Sequence, residues 1–367
     1  MKFSNVILLT ALTSLMSYPA FAEEYDIEEL EEKCENGSEP ESCKILGDIY
    51  AVGDDDLDVD EDFLRAAKYY NMACDAKISG ACDALIVDRA EAEKYKSYSA
   101  PADLLAVLGK IGAPGTNYEE VFNFLKDKCE KGKDPYACGF YGEFLIQGIV
   151  GRKVINKGMR FLKGACRSGD PSACANLGTR LMVGEGVDID DFKSYYTLKY
   201  ACDNDFYQAC RISAIFYEKR IGLKKDQKKI RELYDKACFN NDGVSCYKLG
   251  TSYINQPTSD KKKKLPALKA FVHGCELGNA QSCNSAGLIF ENGELVKNDY
   301  TQAFRYYLKG CEGDVAVSCK NLGYCYSLGY GTDLDKGLSK EAYTKACELG
   351  DDESCSVAAQ MYDLNQE

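Results

Sequence analysis

The stretch TQAFRYYLKGCEGDVAVSCKNLGYCY, residues 301–326, decides how this chain folds. Its two paired cysteines, Cys311 and Cys319, stand eight positions apart around a glycine and acidic residues. Counting back from Cys311, Gly310, Tyr307 and Ala303 lie one, four and eight positions away. Counting forward from Cys319, Leu322, Gly323 and Tyr326 lie three, four and seven positions away. Both sets of offsets fall on one face of an α-helix, so the stretch reads as two amphipathic helices joined by a short turn. Small residues alternate with aromatic ones, which gives each helix hollows and knobs. A glycine inside a helix costs roughly 1 kcal/mol against alanine. Gly323 therefore marks a place where a neighbouring helix comes too close for a side chain.

The pattern recurs along the chain. Glycine follows leucine again at Leu177-Gly178 and Leu249-Gly250, and large residues sit seven past the second cysteine at Tyr50, Leu181, Tyr217, Tyr253 and Phe290. Eighteen of the 19 cysteines fall into nine near-neighbour pairs. From Cys129 onward the first cysteines are spaced 37, 36, 36, 37, 36 and 36 residues apart. A fixed period of this size means stacked supersecondary units, each unable to bury its apolar face alone. The two earlier spacings are longer. They predict an acidic loop between Gly53 and Asp62 and an insertion near residues 96–117. The punctuation agrees. Gly169, Gly278 and Gly350 stand where a helix C-terminal glycine belongs, Asp170 and Asp351 where the next helix needs an N-cap, and Pro171 at a first helical position.

The cysteines could serve a metal, a redox reaction or a staple. Zinc sites bring cysteines two to four residues apart, with or without histidine. This chain has one histidine, His273, and no C-x-x-C, which excludes structural zinc and a thioredoxin-like centre on spacing. No metal or cofactor is expected. The staple fits: cysteines flanking a tight turn between helices can bring their α-carbons within the ~4.4–6.8 Å that a disulfide needs. The expected bridges are Cys34–Cys43, Cys74–Cys82, Cys129–Cys138, Cys166–Cys174, Cys202–Cys210, Cys238–Cys246, Cys275–Cys283, Cys311–Cys319 and Cys347–Cys355. Each short loop contributes roughly 2–3 kcal/mol by the chain-entropy estimate. Cys325 is left unpaired, as a space-filling thiol or as one available for an intermolecular bond.

The N-terminus carries a short positive start, an apolar run from Val6 to Met16 and the A-x-A triplet Ala20-Phe21-Ala22. Residues 1–22 read as a secretory signal peptide cleaved after Ala22, and 23–367 as a single repeat solenoid. A secreted or periplasmic location, where disulfides persist, is the expectation. No later stretch is long and apolar enough to insert in a membrane. The formal charge of −13 argues against nucleic acid and anionic membrane as partners. Two basic runs stand out, Lys219 to Arg231 and Lys261 to Lys264. They read as a solvated loop and helix face, with a docking patch for an acidic partner as the alternative.

The motif A-x-x-Y-Y-x-K-A-C-x-x-G-D-x-x-S-C-x-x-L-G-x-x-Y resembles the cysteine-rich form of the Sel1-like repeat, and the chain from Cys34 to Tyr362 is similar to the Helicobacter cysteine-rich protein family. A related form occurs in a mitochondrial cytochrome oxidase assembly factor. The resemblance weakens in the second repeat, where Ile86 and Arg89 replace the glycine and tyrosine. It implies an all-α, right-handed superhelical α-solenoid of about eight disulfide-stapled, TPR-related helix pairs. It also implies a scaffold binding a protein, a peptide or a cell-wall (peptidoglycan) fragment on its concave face, with no oligomeric state indicated. The family's other label is penicillin-binding protein with weak β-lactamase activity. That chemistry would want S-x-x-K, S-D-N and K-T-G. Only the first occurs, at Ser245–Lys248 and Ser259–Lys262. Ser245 precedes a second cysteine, where Ser42, Ala173, Ser282 and Ser318 stand in other repeats, so it reads as a packing residue. Ser259 lies in a lysine-rich loop, and His273 reads as a surface or groove residue. No catalytic residue is assigned.

Overall fold

The computed structural model describes residues 25–55, 57, 59–86 and 101–363. The proposed signal peptide, Arg89 and part of the insertion fall outside them. The described residues are helical, with one isolated bridge between Asp54 and Val59 and no strand. Each repeat has an A helix, which opens with the second cysteine of a pair, and a B helix, which ends on the first cysteine of the next. The regular A and B helices run Pro135–Gln147 and Ile155–Arg167, Pro171–Val183 and Asp191–Asp203, and Tyr207–Lys219 and Gln227–Cys238. They continue as Gly243–Ile254 and Pro266–Glu276, Ala280–Asn292 and Tyr300–Glu312, and Ala316–Leu328 and Lys336–Glu348, with Asp352–Asp363 as a last A helix. Upstream lie Ile27–Glu35, Pro40–Val52, Phe63–Asp75, the short Ala81–Leu85, then Ala102–Leu108 and Tyr118–Glu130. The fold is an α-solenoid.

The helix starts follow from local chemistry. Asp134, Asp170, Asp190, Asp226, Asp242, Asn279, Asp299 and Asp335 each accept a backbone N–H of the first turn. Each such cap is worth about 1 kcal/mol. Many A helices stop at a left-handed residue, such as Gly184 at φ 75° and Gly329 at φ 70°, a conformation that only glycine adopts without cost.

The small–aromatic alternation packs A onto B. A Cβ on Gly250 would sit 2.5 Å from the Phe271 ring, one on Gly287 2.6 Å from Tyr307, and one on Gly323 2.9 Å from Tyr343. In the 135–167 repeat two backbones meet directly: a Cβ on Gly142 would lie 2.8 Å from the Gly158 carbonyl oxygen. Small residues also recur where B meets the next A. A Cβ on Gly274 would come 2.5 Å from Ser282 Oγ and 2.8 Å from Cys246 Cβ.

Stacking does not account for every contact. The first described repeats pack against the middle of the solenoid. Phe63 is buried, donates its N–H to the Gly222 carbonyl at 2.9 Å, and meets the Phe192 ring at 5.6 Å and the Tyr195 ring at 6.0 Å. Tyr70 reaches Phe192 at 5.3 Å, and Arg167 pairs with Asp83 at 2.5 Å. Residues 30–85 therefore share one apolar core with residues 146–270, while Leu104 to Leu145 form a separate cluster.

Candidate binding face

Nine cysteine pairs hold their sulfurs at disulfide distance, with Cα–Cα separations from 4.5 to 4.9 Å. They are Cys34–Cys43, Cys74–Cys82, Cys129–Cys138, Cys166–Cys174, Cys202–Cys210, Cys238–Cys246, Cys275–Cys283, Cys311–Cys319 and Cys347–Cys355. Each joins the B helix of one repeat to the A helix of the next. Cys325 is the free thiol, buried in the last apolar cluster. Burial first, and then the Glu291 carboxylate, pushes this thiol up to about 12, far from thiolate reactivity at neutral pH. Among the described residues no group of three or more histidine, cysteine, aspartate or glutamate side chains could hold a metal ion.

Burial separates the two S-x-x-K serines. Ser245 is fully buried and donates its hydroxyl to the capping carboxylate of Asp242 at 3.1 Å, while Lys248 is exposed. Ser282 makes the same contact with Asn279 at 2.8 Å. Ser245 thus serves a helix cap and a close helix contact, and a substrate cannot reach it. Ser259 is exposed beside Asp260, which caps the short helix Lys261–Lys264. His273 stacks on Phe239 at 5.2 Å and lies 3.5 Å from the Glu276 carboxylate. The three are not brought together into one constellation.

Two buried charged features were not read from the sequence. Glu143 and Arg180, on successive A helices, meet in a two-pronged pair at 2.8 and 3.3 Å, and Arg180 also pairs with Glu185 at 2.9 Å. Such pairs fix register more than they stabilise. Asp170 is buried at the N-terminus of Pro171–Val183. Burial pushes its carboxyl up to about 6, against the N–H and hydroxyl of Ser172, both at 2.9 Å. Its second oxygen has no partner among the described residues.

The helix geometry singles out one continuous surface. On each A helix the residues two, five and nine past the cysteine lie opposite the buried positions three, four and seven. They are Asn176, Thr179 and Val183, then Ile212, Ile215 and Lys219, then Lys248, Thr251 and Asn255. Ser285, Leu288 and Asn292, and Asn321, Tyr324 and Leu328, continue the row. Val183, Leu288, Tyr324 and Leu328 are large apolar side chains left 58, 36, 44 and 46 % exposed. Two cavities open on this row. One of about 300 Å³ lies between Gly243–Ile254 and Ala280–Asn292 and is lined by Ile254, Phe271, Leu288, Ile289 and Leu295. The other, of about 730 Å³, lies between Gln227–Cys238 and Gly243–Ile254 and is lined by Lys225, Arg231, Lys248 and Lys263 with Glu218. Thr251 lines both.

The Sel1 repeat family model matches residues 40–77, 135–170, 171–206, 208–242, 280–315 and 316–351, each beginning at or near the start of an A helix. The chain belongs to the Sel1 repeat family. The cytochrome c oxidase assembly factor 7 of Xenopus tropicalis is 32 % identical over 198 residues, covering 50 % of this chain and 84 % of that protein. The c5321 protective antigen of uropathogenic Escherichia coli is 20 % identical with a TM-score of 0.60, over 92 % of this chain and 67 % of the other. This likeness establishes the Sel1 fold over nearly the whole chain. Cysteine-rich protein B of Helicobacter pylori is 31 % identical over 36 % of this chain and 95 % of its own, with a TM-score of 0.30. A Sel1 scaffold is a protein-interaction architecture, since stacked repeats present one long surface. Its nine disulfides belong to an oxidising, extracytoplasmic setting. No described helix is long and apolar enough to cross a membrane.

Proposed function

We propose that the chain is an exported Sel1 scaffold, a single solenoid over residues 23–367, that binds a protein or peptide along its A-helix face, the concave side. The observation that carries this reading is the set of exposed apolar side chains Val183, Leu288, Tyr324 and Leu328, which stand five or nine past the cysteine on one face of their A helices. Contiguous exposed apolar surface rimmed by polar residues is what interaction sites present. The disulfides keep an open, edge-rich fold from fraying outside the cytoplasm. Secretion or release to the periplasm after cleavage at Ala22 completes the proposal. Peptidoglycan, through its stem peptide, is a narrower version of the same reading. For the alternative of β-lactam binding with slow hydrolysis, burial removes Ser245 as a nucleophile and leaves the exposed Ser259 as the remaining S-x-x-K serine.

The test is affinity capture from envelope extracts on the oxidised chain, beside Tyr324→Asp with Leu288→Asp. The reading expects a partner held by the natural chain and lost with the double variant. A partner retained equally by both chains, or none at all, defeats it.

A further inference from the structure

The two basic runs of the sequence lie thirty positions apart, from Arg231 to Lys261, yet the fold delivers them to one cavity. Lys225 and Arg231 come from the first run, Lys263 from the second, and Lys248 from the A helix between them. Some lysines elsewhere are neutralised locally, as Lys44 by Asp48 and Lys193 by Asp190. The four cavity cations are not. Among the described residues none of them forms an ion pair, and Arg231 instead lies over the Tyr253 ring at 5.6 Å. Glu218, the one carboxylate in the lining, is engaged by Tyr234. Four unneutralised cations around one concavity concentrate positive potential, and they do so in a chain whose formal charge is −13.

The neighbouring cavity is mainly apolar, although Lys264 and Glu294 also line it. Phe271 and Ile289 form its floor, and Leu288, Ile254 and Leu295 its wall. Its 300 Å³ is at the small end of ligand pockets and accepts one bulky apolar side chain. Thr251 forms the boundary between the two. A ligand crossing Gly243–Ile254 therefore meets cations on one side and an apolar pocket on the other, along the face on which the proposed function rests.

We infer that this face takes a peptide segment carrying acidic residues next to a bulky aliphatic or aromatic residue. The carboxylates sit among Lys225, Arg231, Lys248 and Lys263, and the apolar side chain enters the Phe271–Leu288 pocket. The charges supply encounter rate and orientation, and the apolar anchor supplies residence time. This deepens the proposed function, because it names the partner's chemistry at one place on the binding face.

The test uses the full oxidised chain and fluorescein-labelled peptides with two glutamates at increasing spacing from a leucine–phenylalanine pair. Controls replace the glutamates by glutamine or the apolar pair by serine, and a single-stranded oligonucleotide serves as a plain polyanion. Fluorescence anisotropy should show binding only when both features are present, weakening as salt rises. Arg231→Glu with Lys248→Glu should weaken it by roughly tenfold or more, and Leu288→Asp by a similar factor. Leu349→Ala, at an exposed turn away from this face, should leave it unchanged. No binding by any peptide, equal binding of the oligonucleotide, or binding indifferent to the charge reversal overturns the inference. A partner from envelope extracts that is lost with Tyr324→Asp but indifferent to that reversal overturns this inference alone and leaves the proposed function standing.

Discussion

At the scale of single residues, space rather than propensity decides what each glycine does. Gly287 faces the Tyr307 ring, where a Cβ would lie 2.6 Å away, whereas nothing lies within 4 Å of a Cβ on Gly164. Gly287→Ala should lower stability by about 1–3 kcal/mol through overpacking, and Gly164→Ala should raise it by roughly 0.5–1 kcal/mol. Thermal melts of the two variants check both signs. Asp170 gives a pH signature. Its folded pKa of about 6 lies above the ~3.9 of an unfolded aspartate. Between the two values the native state still holds a proton that the unfolded state has released. Native stability from this group is therefore fully present below about pH 4 and lost as pH rises through about 6. Asparagine keeps the cap acceptor, as Asn279 does at the equivalent position. Asp170→Asn should match the natural chain near pH 4 and exceed it by on the order of 2 kcal/mol above pH 6. A stability difference that does not change with pH would contradict this account. The sequence marked Asp170 as a cap. It could not show the burial, because Gly139 of the preceding repeat lies against the carboxylate.

At the scale of helices, most of the fold was legible. Offsets of three, four and seven from each cysteine gave both helices, and the recurring glycine after leucine gave their close approach, because each depends only on neighbours in sequence. The register of the exposed face was also present in those offsets, but the exposure of Leu288 and Tyr324 was not, because it depends on how neighbouring repeats pack. The cysteine arrangement makes a direct expectation. Denatured without reductant, the oxidised chain should be alkylated at Cys325 alone. The native chain should resist even that, because the thiol is buried and pushed up to about 12. Peptide mapping after iodoacetamide treatment reads both results, and labelling of any paired cysteine in the oxidised chain would count against the staples.

At the scale of the whole molecule, the period of 36 residues says which helices are neighbours in the stack and nothing about contacts that skip repeats. The side docking of residues 25–86 rests on Phe63, which in sequence is only another aromatic at a helix start, and on Gly222, whose Cβ position that ring occupies. The convergence of the two lysine-rich runs on one cavity was illegible for the same reason. Phe63→Ala should cost about 3–5 kcal/mol in the docking of this unit. Hydrogen exchange should then accelerate in Phe63–Asp75 and Asp191–Asp203 and stay unchanged in Ala316–Leu328 and Lys336–Glu348. The central claim is that the A-helix face is the working surface of this scaffold, and photocrosslinking in the producing cell tests it most directly. A benzophenone amino acid would replace Val183, Leu288 or Tyr324 on the face, and Phe239 or Leu349 at the turns between paired cysteines. The account expects the face positions to give a common adduct and the turn positions none. Adducts at the turns with none on the face would contradict it.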